Sequence, residues 1–140
     1  MDKLFLVGCG GAVGAILRYV ISLVPWKGEF PLLTLITNLA GAILIGLVVG
    51  LAFSKDTISP NMVLFFKTGV CGGFTTFSTF SLEALTLLER NQKGIAVVYI
   101  FLSVVGCVIG VWFGKKLIMR LKKSSGWNSY IMNIGLFWIM

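Results

Sequence analysis

The chain has 140 residues, of which 57% are hydrophobic and only 12% are charged. A soluble domain of this length could not bury so much apolar surface, so the composition indicates that the excess faces lipid. The net charge of +7 does not indicate a nucleic-acid partner, because five of the twelve basic residues cluster directly after the last apolar segment. The lack of histidine removes the commonest general base and most zinc or haem sites.

Four apolar segments are long enough to cross a bilayer, which takes about 20 apolar residues in a helix. They cover residues 4–24, 32–53, 62–88 and 94–118. We therefore predict an all-α membrane protein in which residues 1–123 form a four-helix transmembrane subunit. No small-residue cleavage site follows the first segment, so we expect a membrane span there and not a secretory signal peptide.

The first segment carries small residues and one cation on a single helix face. Gly10, Gly14 and Arg18 recur every four residues, and small residues let helix backbones approach closely in a membrane. Arg18 has two interpretations: it snorkels to the membrane surface, or it guards an aqueous entrance. Its place on the glycine face favours the second interpretation, because that face packs against protein.

The second segment contains the only amide within a predicted span, Asn38. Its side chain either makes a hydrogen bond that merely holds two helices together or offers its NH2 group to an anion. A stripe of small residues follows on the same segment, formed by Ala42, Gly46 and Gly50. This stripe predicts a close helix contact.

The third segment is interrupted by the stretch "GVCGGFTTFSTFSLE", residues 69–83. Paired glycines lower helix stability, and the adjoining β-branched threonines do not restore it. We predict a broken helix whose first half ends at about Cys71 and whose second half begins at about Phe77. Carbonyls freed at such a break attract hard cations. Since Glu83 is the only carboxylate near the break, a monovalent ion is expected rather than calcium.

The residues after the break suit a small anion. Phe77 and Phe80 are three residues apart, so their rings lie on one helix face, and the Thr79 and Ser81 hydroxyls are close by. Ring edges carry a positive partial charge. A plain aromatic packing stripe is the alternative, but the break and the density of hydroxyls favour the anion site. Glu83 is interpreted as a counter-charge for Arg18 or as a solvated group near a mouth.

The fourth segment shows two faces. One is a ridge of Gly106, Gly110 and Gly114, and beside it runs a polar track of Tyr99, Ser103 and Cys107. Four short helices enclose no long pore, so we expect an oligomer that packs through the glycine faces. Cys9, Cys71 and Cys107 are interpreted as free buried thiols.

The end of the chain combines basic and aromatic residues. The basic cluster consists of Lys115, Lys116, Arg120, Lys122 and Lys123, and it predicts that both ends of the chain lie in the cytoplasm. Residues 124–140 form an aromatic-rich tail that is too short for a further crossing and is expected to lie at the membrane surface.

Three motifs resemble those of the CrcB/Fluc family of fluoride channels: "GCGGAVGAILRY", "TLITNLAGAILIG" and "GVCGGFTTFSTFSLE". The resemblance covers all four apolar segments. It implies an antiparallel, dual-topology homodimer in the plasma membrane that passes fluoride out of the cytoplasm down its electrochemical gradient. It further implies a structural sodium ion (Na+) at the dimer centre, held by the backbone carbonyls of Gly72 and Thr75.

The same resemblance implies roles for side chains. It places Asn38, Phe77 and Phe80 on the fluoride pathway, with Tyr99 and Ser103 as the polar track of the last helix. Arg18 and Glu83 correspond to the family's charged positions. Cys107 stands where a serine is common, which leaves the far end of the track open.

Other functions are left as alternatives. The tail has no counterpart in the family pattern, and the basic cluster biases orientation more than dual topology requires. The chain could therefore be one orientation-fixed subunit of a heterodimeric fluoride channel. A small four-helix multidrug-type exporter would need a carboxylate in its first helix, where this chain has Arg18. An enzyme is not expected, since no nucleophile and base pair is found.

Overall fold

A computed structural model of the chain describes residues 2–53 and 58–124, and the predicted tail, residues 124–140, lies outside the described residues from residue 125 onward. In the described part every regular element is helical, which confirms the predicted all-α class. The elements are α1 (Asp2–Ser22), α2 (Leu32–Ala52), α3 (Pro60–Val63), a π-helix (Leu64–Val70), α4 (Cys71–Phe74), α5 (Phe77–Glu89) and α6 (Lys93–Ser124).

Three of these helices are long and apolar enough to cross a membrane, namely α1, α2 and α6. Large apolar side chains are exposed along α1 and α6, which is what a lipid-facing surface requires. The bounds of α1 and α2 match the predicted segments closely. Helix α6 continues past the predicted end at residue 118 through the basic cluster, because lysine and arginine are good helix formers.

The third predicted segment, residues 62–88, corresponds to residues 60–89 of the structure, which are divided into short helices. It begins with Ser59 as the N-cap, whose side chain accepts a hydrogen bond from Met62 N, and with a proline in the first turn. It then passes through the π-helix and α4, and the helix ends at Phe74 rather than at about Cys71. The two glycines stay helical because α4 packs on α1, and tertiary packing overrides their low helix propensity.

Thr75 and Thr76, which we call the break, are extended, with ψ of 156° at Thr75 and φ of −147° at Thr76. Helix α5 begins directly after them. The Thr76 side chain caps it by accepting a hydrogen bond of 3.2 Å from Thr79 N. The threonines therefore stop one helix and start the next.

Glycines let α1 lie directly against the third segment. A Cβ atom at Gly10 would come within 2.6 Å of the Phe65 carbonyl oxygen, and one at Gly14 would collide with the Val70 carbonyl oxygen. Such distances leave no room for any side chain on this face. The predicted close approach of the first helix is therefore confirmed.

The α2 and α6 glycines pack on each other in the same way. A Cβ at Gly46 would collide with the Val111 carbonyl oxygen, and one at Gly114 would collide with the Ile43 carbonyl oxygen. The prediction that subunits of an oligomer pack through the glycine faces is wrong for these residues, because contacts inside the chain already occupy them.

The core lies between α5 and α6, just after the break. It contains Phe80, Ala84 and Leu87 of α5 together with Ala96 and Tyr99 of α6. This packing holds the first turns of α5 against the last helix and so positions the break relative to the polar track.

Candidate functional site

Asn38 of α2 holds the break through both ends of its side-chain amide. Thr76 N donates to Asn38 Oδ1 over 2.7 Å, and Asn38 Nδ2 donates to the Thr76 carbonyl oxygen over 3.1 Å. Asn38 is only 9% exposed, so these bonds satisfy extended backbone away from water. One of the two interpretations of Asn38 was a hydrogen bond between helices, and this bond is present. An amide nitrogen carries two hydrogens, and this pair uses one of them.

The break removes helical N–H donors from the carbonyls that precede it, among them those of Gly72 and Thr75. A helical carbonyl accepts from the N–H four residues later. Thr76 N bonds Asn38 instead of the Gly72 carbonyl, and Thr79 N bonds the Thr76 hydroxyl instead of the Thr75 carbonyl. Gly72 is exposed, and no atom outside its own helix turn lies within 4 Å of where its Cβ would be. The oxygens of these two carbonyls therefore lack their helical donors and can bind a ligand.

The Thr75 hydroxyl is used elsewhere. It donates to the Cys71 carbonyl oxygen over 2.9 Å, and Thr75 N donates to the same oxygen over 3.0 Å. What Thr75 can offer a cation is therefore its backbone carbonyl and not a free hydroxyl group.

Arg18 reaches the break from α1. Its Nε donates to the Gly73 carbonyl oxygen over 3.3 Å, and the residue is half-buried. The guanidinium thus contacts backbone of the third segment and gives the Gly73 carbonyl a hydrogen-bond partner. An arginine side chain that only snorkels to the membrane surface would not make this contact.

Glu83 is bound by hydroxyl groups. Thr34 Oγ1 donates to Glu83 Oε1 over 2.8 Å, and Tyr99 OH donates to Glu83 Oε2 over 2.7 Å. The interpretation of Glu83 as a counter-charge for Arg18 is wrong for the described residues, where these hydroxyls are its partners. Nor is it simply solvated. Its position one turn past Phe80 places it beside the last helix, whose tyrosine reaches it.

The aromatic residues form a row of contacting rings. The ring centroids of Phe77 and Phe80 are 5.4 Å apart, and those of Phe80 and Tyr99 are 5.2 Å apart. Phe30 meets Tyr99 edge-on, with centroids 5.6 Å apart and an interplanar angle of 82°. Phe80 is 7% exposed, whereas Phe77 is 76% exposed. The row therefore leads from the surface of a single chain to its core.

The polar track begins next to this row. Tyr99 is completely buried, and Ser103, one turn later, is 5% exposed. Among the described residues the Ser103 hydroxyl oxygen has no hydrogen-bond partner. This buried hydroxyl can therefore donate a hydrogen bond to a small ligand. Cys107 is half-buried at the far end of the track.

The two remaining predicted hydroxyls are bonded within α5. Ser81 Oγ donates to the Phe77 carbonyl oxygen over 2.9 Å and is exposed. Thr79 Oγ1 accepts from Thr76 Oγ1 over 2.9 Å. Both lie near the rings, but their bonds serve the helix start.

A family model described as "CrcB-like protein, Camphor Resistance (CrcB)" matches residues 5–115. The chain belongs to the CrcB family. The resemblance predicted from the three motifs is thereby confirmed. The matched region contains every predicted site residue, whereas most of the basic cluster and the tail lie beyond it. Together with the three apolar helices, the family match shows that this CrcB protein is a multi-pass membrane protein.

Curated relatives of this CrcB protein carry the name "Fluoride-specific ion channel FluC". One from Azobacteroides pseudotrichonymphae is 42% identical over 111 residues, which cover 76% of this chain and 89% of the relative. One from Flavobacterium psychrophilum is 44% identical over 117 residues, covering 81% and 94% respectively. A third, from Ruminiclostridium cellulolyticum, is 45% identical over 120 residues, covering 84% and 92%.

In the described part of this CrcB protein, no group of three or more His, Cys, Asp or Glu side chains could hold a metal ion. The oxygens that the break offers a cation are backbone carbonyls. The three cysteines are free, as predicted, but only Cys71 is buried; Cys9 is exposed within the single chain and Cys107 is half-buried.

Sequence reasoning missed three contributors to the site. Thr34 lies one turn before Asn38 on the same face, a spacing that could have placed it near the third segment. Gly73 was treated only as a helix breaker, although its carbonyl is the acceptor for Arg18. Phe30 lies in the loop before α2 and carried no periodic signal.

Proposed function

We propose that the chain is a subunit of a fluoride-selective channel of the plasma membrane that lets fluoride leave the cytoplasm down its electrochemical gradient, and that it is not an enzyme. The names of the curated relatives support this proposal. The observation that carries it is the row of rings from exposed Phe77 through buried Phe80 to Tyr99, which ends one turn from the unpartnered Ser103 hydroxyl.

The chemistry of this row suits a small anion. Aromatic edges are electropositive and attract an anion without binding it as tightly as a fixed cation would. The Ser103 hydroxyl can donate a hydrogen bond, and the second Asn38 amide hydrogen offers another donor at the break. A small ion can approach such donors closely, whereas a larger halide cannot. Thr79 and Ser81 lie along the same path and line it in this proposal.

A complete channel needs a second subunit. We propose that residues 60–89 cross the membrane as a broken helix and that this segment meets its counterpart in an antiparallel homodimer. Gly72, Ser78 and Ser81 are exposed in the single chain. Polar groups at this depth cannot remain against lipid. In this proposal the exposed apolar side chains of α1 and α6 contact membrane lipid.

The carbonyls of Gly72 and Thr75 fit a sodium ion. Carbonyl oxygens are hard ligands, and these two have lost their helical N–H donors. In the proposed dimer they would hold the ion together with the same carbonyls of the partner. The bound ion would supply positive charge that ties the two breaks to each other.

The basic end of α6 favours a second form of the same function, in which this chain is one subunit of a heterodimer. Five cations and no carboxylate lie between residues 115 and 124. Two of them cover aromatic rings: Lys115 over Phe53 at 4.6 Å and Lys116 over Trp112 at 4.2 Å. Such an end favours the cytoplasm in every copy. A homologous chain of opposite orientation would then complete the dimer. The multidrug-type exporter is not favoured, because within the apolar part of α1 the charged residue is Arg18.

Fluoride efflux from liposomes tests the proposal. The purified chain is reconstituted in liposomes that are loaded with potassium fluoride. Efflux is started with valinomycin and followed with a fluoride electrode. We expect fast fluoride release and no comparable chloride release from chloride-loaded vesicles. Equal release of both anions, or none from vesicles that contain assembled protein, would overturn fluoride selectivity. A reporter fused after Lys123 distinguishes the antiparallel homodimer from the heterodimer. Signal on only one side of the membrane means that the chain has a fixed orientation, as the heterodimer requires.

A further inference from the structure

We infer that Arg18 is a positioning residue for the cation site at the break. Its guanidinium binds the Gly73 carbonyl oxygen, so that this oxygen does not bind the cation. The same bond holds the backbone in a conformation in which the Gly72 and Thr75 carbonyls can bind it. This inference rests on the sodium site proposed above and assigns Arg18 a task beyond supplying charge near an entrance.

The packing of α1 brings Arg18 to this place. A Cβ at Gly73 would collide with the Gly11 carbonyl oxygen, and one at Gly14 would lie 2.6 Å from Phe74 N. The two backbones therefore touch along the α4 turn. Arg18 lies one helical turn beyond Gly14 on the same face, so its side chain extends over the end of α4. There its Nε contacts the Gly73 carbonyl oxygen at 3.3 Å.

Hydrogen bonds occupy some of the carbonyls around the break and leave the Gly72 and Thr75 carbonyls without a helical donor. The Cys71 carbonyl accepts two bonds from Thr75, the Gly73 carbonyl accepts one from Arg18, and the Thr76 carbonyl accepts one from Asn38. The carbonyls of Gly72 and Thr75 lie next to these occupied acceptors, and their helical donors bond elsewhere.

Two anchors from different helices produce this pattern. Asn38 fixes the residue after Thr75, and Arg18 fixes the residue after Gly72. Without the guanidinium, the Gly73 carbonyl would be unpaired at membrane depth and would turn to find another partner. The peptide plane that carries the Gly72 carbonyl adjoins this plane at the Gly73 Cα, and we infer that it loses its fixed orientation when Gly73 is no longer anchored.

The charge and the hydrogen bond of Arg18 act in opposite directions on a bound cation. The positive charge repels sodium, whereas the hydrogen bond organises the site. Arg18→Lys keeps the charge but loses the planar, rigid guanidinium. Arg18→Met loses both charge and donor while keeping an unbranched apolar stem. The two variants together therefore separate positioning from charge.

The experiment measures the thermal stability of the purified chain in detergent against sodium concentration. N-methylglucamine chloride keeps the ionic strength constant. A ligand that binds only the folded state raises the unfolding temperature as its concentration rises. We expect the sodium concentration that gives half of the stabilisation to increase about tenfold in both variants, because methionine has no donor and the flexible lysine ammonium does not hold the Gly73 carbonyl in the geometry of the guanidinium Nε. Arg120→Met, the same change in the exposed basic end of α6, should leave it unchanged.

Each other outcome overturns the inference in a recognisable way. An unchanged half-stabilising concentration in both variants means that Arg18 does not position the carbonyls. Tighter sodium binding in Arg18→Met together with wild-type binding in Arg18→Lys means that only its charge matters. If Arg18→Met gives no folded protein, Arg18→Lys alone decides. A wild-type chain that does not respond to sodium removes the cation site and this inference, while fluoride efflux is judged separately.

Discussion

The substitution Asn38→Asp tests how the break is held. The carboxylate can still accept from Thr76 N, now at 2.7 Å, but it cannot donate to the Thr76 carbonyl oxygen, now 3.1 Å from Asn38 Nδ2. An intramolecular hydrogen bond contributes about 0.5–1.5 kcal/mol, and a charged oxygen placed against a carbonyl at this buried position adds a desolvation and repulsion cost. We therefore expect the free energy of unfolding to fall by about 1–3 kcal/mol. Fluoride efflux should be lost.

Two measurements check this expectation. Unfolding by SDS titration in mixed micelles gives the free energy, and the fluoride electrode gives efflux from liposomes. Asn61→Asp is the matched control: Asn61 is exposed in the first turn of α3, where a negative charge is tolerated or favourable. An Asn38→Asp chain with wild-type stability and efflux would show that the amide donor neither holds the break nor serves the anion.

Three further substitutions have defined outcomes. Gly14→Ala should lower the free energy of unfolding by about 1–3 kcal/mol, because its methyl group would overlap backbone of the third segment. The control Gly8→Ala, on the open side of α1, should leave the free energy of unfolding unchanged. Equal effects of the two substitutions would contradict the packing argument. Phe80→Ile should abolish fluoride efflux while the protein remains assembled, since it removes the buried central ring of the row; the control Phe101→Ile changes an exposed ring on α6 and should leave efflux intact. Thr75→Ala should leave the sodium dependence of stability nearly unchanged, because its hydroxyl bonds only within its own turn; a large loss would assign the hydroxyl to the cation.

The local features of the site could be predicted from short patterns in the sequence. Paired glycines followed by two threonines predict the end of one helix and the start of another, because propensity and capping act over a few residues. The structure has α5 beginning at Phe77, where the sequence predicts it. Phe77 and Phe80 lie in ring contact because their spacing alone puts them on one face.

Contacts between segments distant in the chain could not be predicted in this way. Nothing near Glu83 in sequence shows that Thr34 and Tyr99 would bind its carboxylate instead of Arg18. The π-helix Leu64–Val70 was likewise not predicted. Its apolar composition is compatible with an ordinary α-helix, and it occurs where the third segment packs on α1.

The sequence by itself determined the class of this protein: an apolar, all-helical chain of the CrcB family. Composition, periodicity and helix-breaking residues are local properties, and they act whatever the rest of the chain does. Only the tertiary structure decided which polar groups meet at the break. The amide of Asn38 and the guanidinium of Arg18 each had several possible partners, and the partner of each depends on how closely glycine lets three helices approach.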